Sequence, residues 1–76
     1  MEIRAFEEIV LLKDLPNGHF SKGTLGVVAD VLNEGKGFVI EFFAANGQTL
    51  GVEIMDASFV ASASEFPYPI RVENAA

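Results

Sequence analysis

The sequence predicts an all-β fold, a small five-stranded barrel, on three observations. Turn-forming clusters at Leu15-Pro16-Asn17-Gly18, Asn33-Glu34-Gly35-Lys36-Gly37 and Ala45-Asn46-Gly47-Gln48 cut the chain into apolar segments too short for ordinary helices. Two of those segments alternate with period two, the signature of a strand with one face buried. Gly23 and Gly26 stand at the head of the strand-forming run Val27-Val28-Ala29-Asp30-Val31, marking a tight loop that feeds a strand. The 76 residues hold one domain, 1–76, with a barrel core over about residues 8–63 and a tail over 64–76.

The first strand is expected over 8–12, rich in Ile, Val and Leu, and ends where Lys13-Asp14-Leu15-Pro16 begins a long polar loop through Lys22. The second covers 26–32. Gly26 is assigned to a bulge or a close backbone approach at a barrel corner. The third, 38–43, turns Phe38, Ile40 and Phe42 to the core and Val39, Glu41 and Phe43 outward. The fourth, 49–55, repeats the alternation, with Leu50, Val52 and Ile54 facing one way and Gly51, Glu53 and Met55 the other; Glu41 and Glu53 are both expected on the outward face of the hairpin. Asn46-Gly47 joins these two strands, because Asn and Gly tolerate the positive φ of a tight reversal. Asp56-Ala57-Ser58-Phe59 offers a cap residue and a single 3₁₀ turn, with Phe59 plugging one barrel end before a closing strand over 60–63. Pro67 and Pro69 cannot donate to a ladder, so the tail is an extended or edge-capping segment. Residues 1–7 form a helical turn or fray.

Composition narrows the chemistry. A chain this short buries only about 60% of the surface its unfolded form exposes, so the core is thin. With no cysteine, disulfides, thiolate metal sites and cysteine nucleophiles are excluded. The acidic start Met1-Glu2-Ile3-Arg4-Ala5-Phe6-Glu7-Glu8 lacks the apolar stretch of a secretory signal, and no apolar run approaches the roughly 20 residues of a membrane helix; a cytoplasmic location is expected. The formal net charge is −6, and the five Lys and Arg are scattered singly, which makes nucleic acid and anionic lipid poor partners and a basic protein the better one.

His19 is the only histidine, with no nucleophile or second ligand at useful spacing, and is expected to be an exposed loop residue. No serine lies in a Gly-x-Ser-x-Gly elbow. Gly23-Thr24-Leu25-Gly26 opens a strand and lacks the Lys-Ser/Thr of a phosphate loop. Neither catalytic, cofactor-binding nor metal-binding residues are assigned, and the chain is not expected to be an enzyme. The candidate partner-binding surface is Asp14, Phe20, Glu41, Phe43, Glu53 and Tyr68, because exposed aromatic rings beside acids suit a basic peptide. Alternatively, the tail over 66–70 folds across Phe43 and buries these rings.

The order strand, long loop, Gly-x-x-Gly-x-Val, two hairpins, single turn and closing strand resembles an SH3-like barrel. Within that fold the chain is similar to the small bacterial proteins of domain-of-unknown-function family 4926. The matching residues are Val10-Leu11-Leu12-Lys13-Asp14-Leu15-Pro16, Gly23-Thr24-Leu25-Gly26-Val27-Val28-Ala29-Asp30-Val31, and Val39-Ile40-Glu41-Phe42-Phe43 with Gly47-Gln48-Thr49. Residues 65–76 run past the usual end of the family. The resemblance implies a stand-alone barrel without an assigned activity, some of whose relatives sit beside toxin–antitoxin-like partners. The expected function is a non-enzymatic protein-interaction module, with a homodimer as one form; the alternative is a nucleic-acid-binding or ribosome-associated barrel of KOW or Tudor-like type.

Overall fold

The computed structural model describes residues 2–65. Five strands, β1 (Glu8–Leu11), β2 (Leu25–Leu32), β3 (Gly37–Phe43), β4 (Thr49–Asp56) and β5 (Val60–Ser62), form one antiparallel sheet in the order β4-β3-β2-β1-β5. A 3₁₀ turn, Ala57–Phe59, precedes β5, as in the SH3-like order expected. Its cap is Asp56, whose Oδ1 accepts from the Ser58 N–H at 2.8 Å. Two further 3₁₀ turns, Asn33–Gly35 and Ala63–Glu65, follow β2 and β5. Of the tail expected over 64–76, the first two residues belong to the turn Ala63–Glu65, and residues 66–76, with the alternative that 66–70 fold across Phe43, lie outside the described residues. The sequence allows a helical turn or fraying over residues 1–7; in the structure Phe6 N–H donates to the Val28 carbonyl and Val28 N–H to that of Glu7, so the stretch before β1 is tied to β2.

The sheet curls so that every strand contributes to one core. Ile9 and Leu11 of β1, Val28 of β2, Phe38, Ile40 and Phe42 of β3, Met55 of β4 and Val60 of β5 meet there, joined by Leu15 from the long loop. The period-two reading of β3 holds along its whole length. Full burial of each such side chain contributes about 1.5–3 kcal/mol, which a thin core cannot spare.

Gly26 is the close approach that the sequence suggests. It pairs with Ile9 on the core side of β2, where a Cβ would lie 2.6 Å from Ile40 Cγ2. The connection from β3 to β4 turns at Ala45 and Asn46, with Gly47 N–H donating to the Ala44 carbonyl at 2.9 Å and Gly47 at φ 89. Only Gly47 of that pair has positive φ, so the reversal is a turn followed by a left-handed glycine, and the register shifts by one between Phe42 and Phe43.

That shift decides which side of β4 is buried. Met55 pairs with Phe38 and Gly51 with Phe42, so the Gly51, Glu53 and Met55 set faces inward. Glu53 pairs with the buried Ile40, which corrects the expectation that it shares the outward face with Glu41. The more apolar set points out: Val52 is 55% and Ile54 74% exposed. Two-residue alternation separates the faces of a strand, but register alone says which face meets the core.

Candidate interaction surface

The loop over residues 13–22 is held by its own polar groups. Asp14 Oδ1 accepts from Lys22 N–H at 2.7 Å, Asn17 Oδ1 from His19 N–H at 2.9 Å, and the Leu15 and Phe20 backbones close on each other at 3.0 Å. So shaped, the loop lies along the inward side of β4. Asn17 Nδ2 donates to Glu53 Oε1 at 3.0 Å, and His19 Nδ1 stands 3.5 Å from Glu53 Oε2. The Phe20 ring stacks on Phe42 with centroids 4.0 Å apart, and a Cβ on Gly51 would stand 3.5 Å from it. Gly51 thus leaves the room that Phe20 occupies.

Between this loop and β4 lie two open hollows that share Glu53. One, of about 450 Å³, is bounded by His19, Phe20, Leu50 and Gly51. The other, of about 360 Å³, is bounded by Leu15, Pro16, Ile54, Asp56 and Phe59. Together they make a trough along β4, apolar in its walls and acidic at Glu53 and Asp56. At one end Lys13 Nζ sits 4.4 Å from the centre of the Phe59 ring and 3.4 Å from Ser58 Oγ. Hydrogen bonds from Ser58, first its backbone N–H and then its hydroxyl, hold the Asp56 carboxyl below its ordinary 3.8, helped by the Lys13 charge against a small desolvation effect. Asp56 is therefore a charged carboxylate at neutral pH. A third hollow, of about 240 Å³, opens on the outer face among Glu8, Leu25, Val27, Phe43 and Ala45.

Of the six residues expected to form one surface, the five that are described are divided among three places. Asp14 fixes the base of the loop. Phe20 is half-buried against Phe42, because a phenyl ring at this loop position finds the open space above Gly51; it is not a free aromatic. Glu53 lies with it on the inward side of β4. Glu41 and Phe43 are on the outer face, where Glu41 Oε2 accepts from Thr49 Oγ1 at 2.7 Å. Tyr68 lies outside the described residues. Val52, Ile54, Pro16 and Phe59 were not among the candidates, although Val52 and Ile54 give the largest exposed apolar area on the sheet. No sequence signal singles them out, since β2 and β3 lack proline, lysine and arginine just as β4 does.

Among the described residues no group of three or more His, Asp or Glu side chains could hold a metal ion, and no helix is long and apolar enough to cross a membrane. A protein-family model described as a domain of unknown function (DUF4926) matches residues 5–61. Neither the curated proteins nor the solved structures contain a match to the chain.

Proposed function

The chain belongs to the DUF4926 family of unknown function, and on that premise we propose that it is a non-enzymatic protein-interaction module that binds through the trough between β4 and the loop over 13–22. The observation that carries this reading is the exposed Ile54, 74% open to solvent, which walls the trough together with the Glu53 and Asp56 carboxylates. Apolar area supplies affinity and flanking acids select a partner rich in Lys or Arg. A basic toxin or ribosomal protein is the kind of molecule that fits. Catalysis has less support: the His19 ring pairs with the Glu53 carboxylate, but among the described residues no serine or threonine hydroxyl bonds to that ring, and Ser62 Oγ meets Ser64 Oγ at 2.9 Å instead.

The test places a photo-crosslinking residue at Ile54 of the full chain in its native host. One basic protein crosslinked at physiological salt, and lost when Glu53 is changed to Lys, supports the reading. Crosslinks to RNA or DNA, or none, refute it.

A further inference from the structure

We propose that the outer edge of β4 is a strand-addition site, which takes an extended segment of the partner, alternating apolar residues with Lys or Arg, as a sixth strand. This rests on the interaction-module reading above and specifies how the partner is held.

Among the described residues, strand β4 pairs only with β3, and no turn or loop backbone hydrogen-bonds to its other side. Eight residues of strand, about 26 Å, therefore present a row of N–H and C=O groups along one edge. Proteins usually guard such an edge with Pro, Lys, inward-pointing charges, a bulge, a covering loop or brevity; at β4 the one inward-pointing charge is Glu53, and the loop over 13–22 reaches it through side chains and not through backbone hydrogen bonds to the edge. The opposite edge strand, β5, is guarded by brevity, having three residues. Strand β4, Thr-Leu-Gly-Val-Glu-Ile-Met-Asp, contains no Pro and no basic residue, and its one register shift lies at the turn end. The two hollows run beside this same strand, walled by Pro16, His19 and Phe20 on one side and by Gly51, Glu53 and Ile54 on the other.

The faces of β4 then dictate the guest. Side chains on its outer face would lie against Val52 and Ile54 and are apolar. Those on its inner face would approach Glu53, whose carboxylate Asn17 and His19 already orient and which retains lone pairs for a Lys or Arg. Main-chain hydrogen bonds supply affinity and the alternating side chains supply specificity. A second copy is the worse occupant: its β4 brings the same two acids and no base, on a chain of net charge −6.

The probe is a twelve-residue synthetic peptide of alternating Val and Lys, titrated against the full chain at physiological salt, beside a peptide of the same composition in two blocks. The alternating peptide should bind at least tenfold more tightly than the blocked one, and should slow amide exchange in β4. N-methylation of one of the two series, all valines or all lysines, should abolish binding and that of the other should spare it, since the N–H groups of alternate residues point to opposite edges of the strand and only one edge pairs with β4. Glu53→Lys should weaken binding at least tenfold, and Glu8→Gln, in the outer hollow, should leave it unchanged. Binding that survives both methylations, or that leaves β4 exchange unaltered, overturns strand addition while the interaction-module reading stands. Failure of the peptide while Ile54 still crosslinks to a protein overturns the basic-strand chemistry alone. A dimer of the free protein with protected β4 amides makes a second copy the occupant and overturns the proposal. Neither peptide binding nor crosslinking removes both.

Discussion

Gly26→Ala probes how closely the sheet folds upon itself. The new methyl would lie 2.6 Å from Ile40 Cγ2 and 3.0 Å from Phe42 Cε1, both on side chains that are fully buried. Carbon atoms at ease stand about 3.5–4.0 Å apart, so β2 or β3 must move by roughly 1 Å or Ile40 must leave its rotamer. Overpacking of this kind costs about 1–3 kcal/mol. In urea, with a slope of about 1–1.5 kcal/mol per M for so small a protein, the midpoint should fall by about 0.7–3 M. The clash has a named partner, so Gly26→Ala combined with Ile40→Ala should cost less than the sum of the single changes by about 1 kcal/mol or more. Gly18→Ala is the contrast: its Cβ meets nothing within 4 Å, but φ is +78, and its cost of about 1 kcal/mol should be independent of Ile40. A midpoint for Gly26→Ala within about 0.3 M of the parent would refute the close approach.

Two further outcomes concern local groups. Because the folded Asp56 carboxyl lies below its ordinary 3.8, the stability it adds is present above that value and lost as pH falls through the folded one. Carboxyl-carbon NMR should show Asp56 titrating with a midpoint under 3.8, and a midpoint at or above it would contradict the Ser58 cap. Phe6 is 81% exposed at φ 69, so Phe6→Gly surrenders little burial and relieves a left-handed backbone. Allowing for the entropy of glycine, it should stabilise the chain by about 0.5 kcal/mol, read as a higher thermal midpoint; a lower one would show that Phe6 has a packing role.

The strands and their order were legible because their signals are local. Phe38, Ile40 and Phe42 alternate with more polar neighbours, Asn46-Gly47 turns the chain, and Asp56 caps a 3₁₀ turn within two residues of itself. The surface was less legible because it depends on register and on contacts distant in sequence. Nothing near Glu53 says that it will pair with Ile40, since a shift of one residue at Phe43 would send it out again. Phe20 has the sequence context of a free loop ring, yet Gly51, far along the chain, vacates the space in which it stacks on Phe42. The outward turn of Val52 and Ile54 follows from that same register.

The pairing of β1 with β5, Ile9 opposite Ser62, has a consequence in time. Strands β2, β3 and β4 are successive and joined by short turns, so they can zip together as soon as they are synthesised. Strand β1 finds its second neighbour only when Val60 to Ser62 arrive from the other end of the domain. Closing that span carries the largest loop entropy in the molecule, although each doubling of loop length adds only about 0.6 kcal/mol. On a translating ribosome the meander would therefore wait, with the β5-facing side of β1 uncovered, until the last three-residue strand emerged. Folding ends with a stitch between the two ends of the domain.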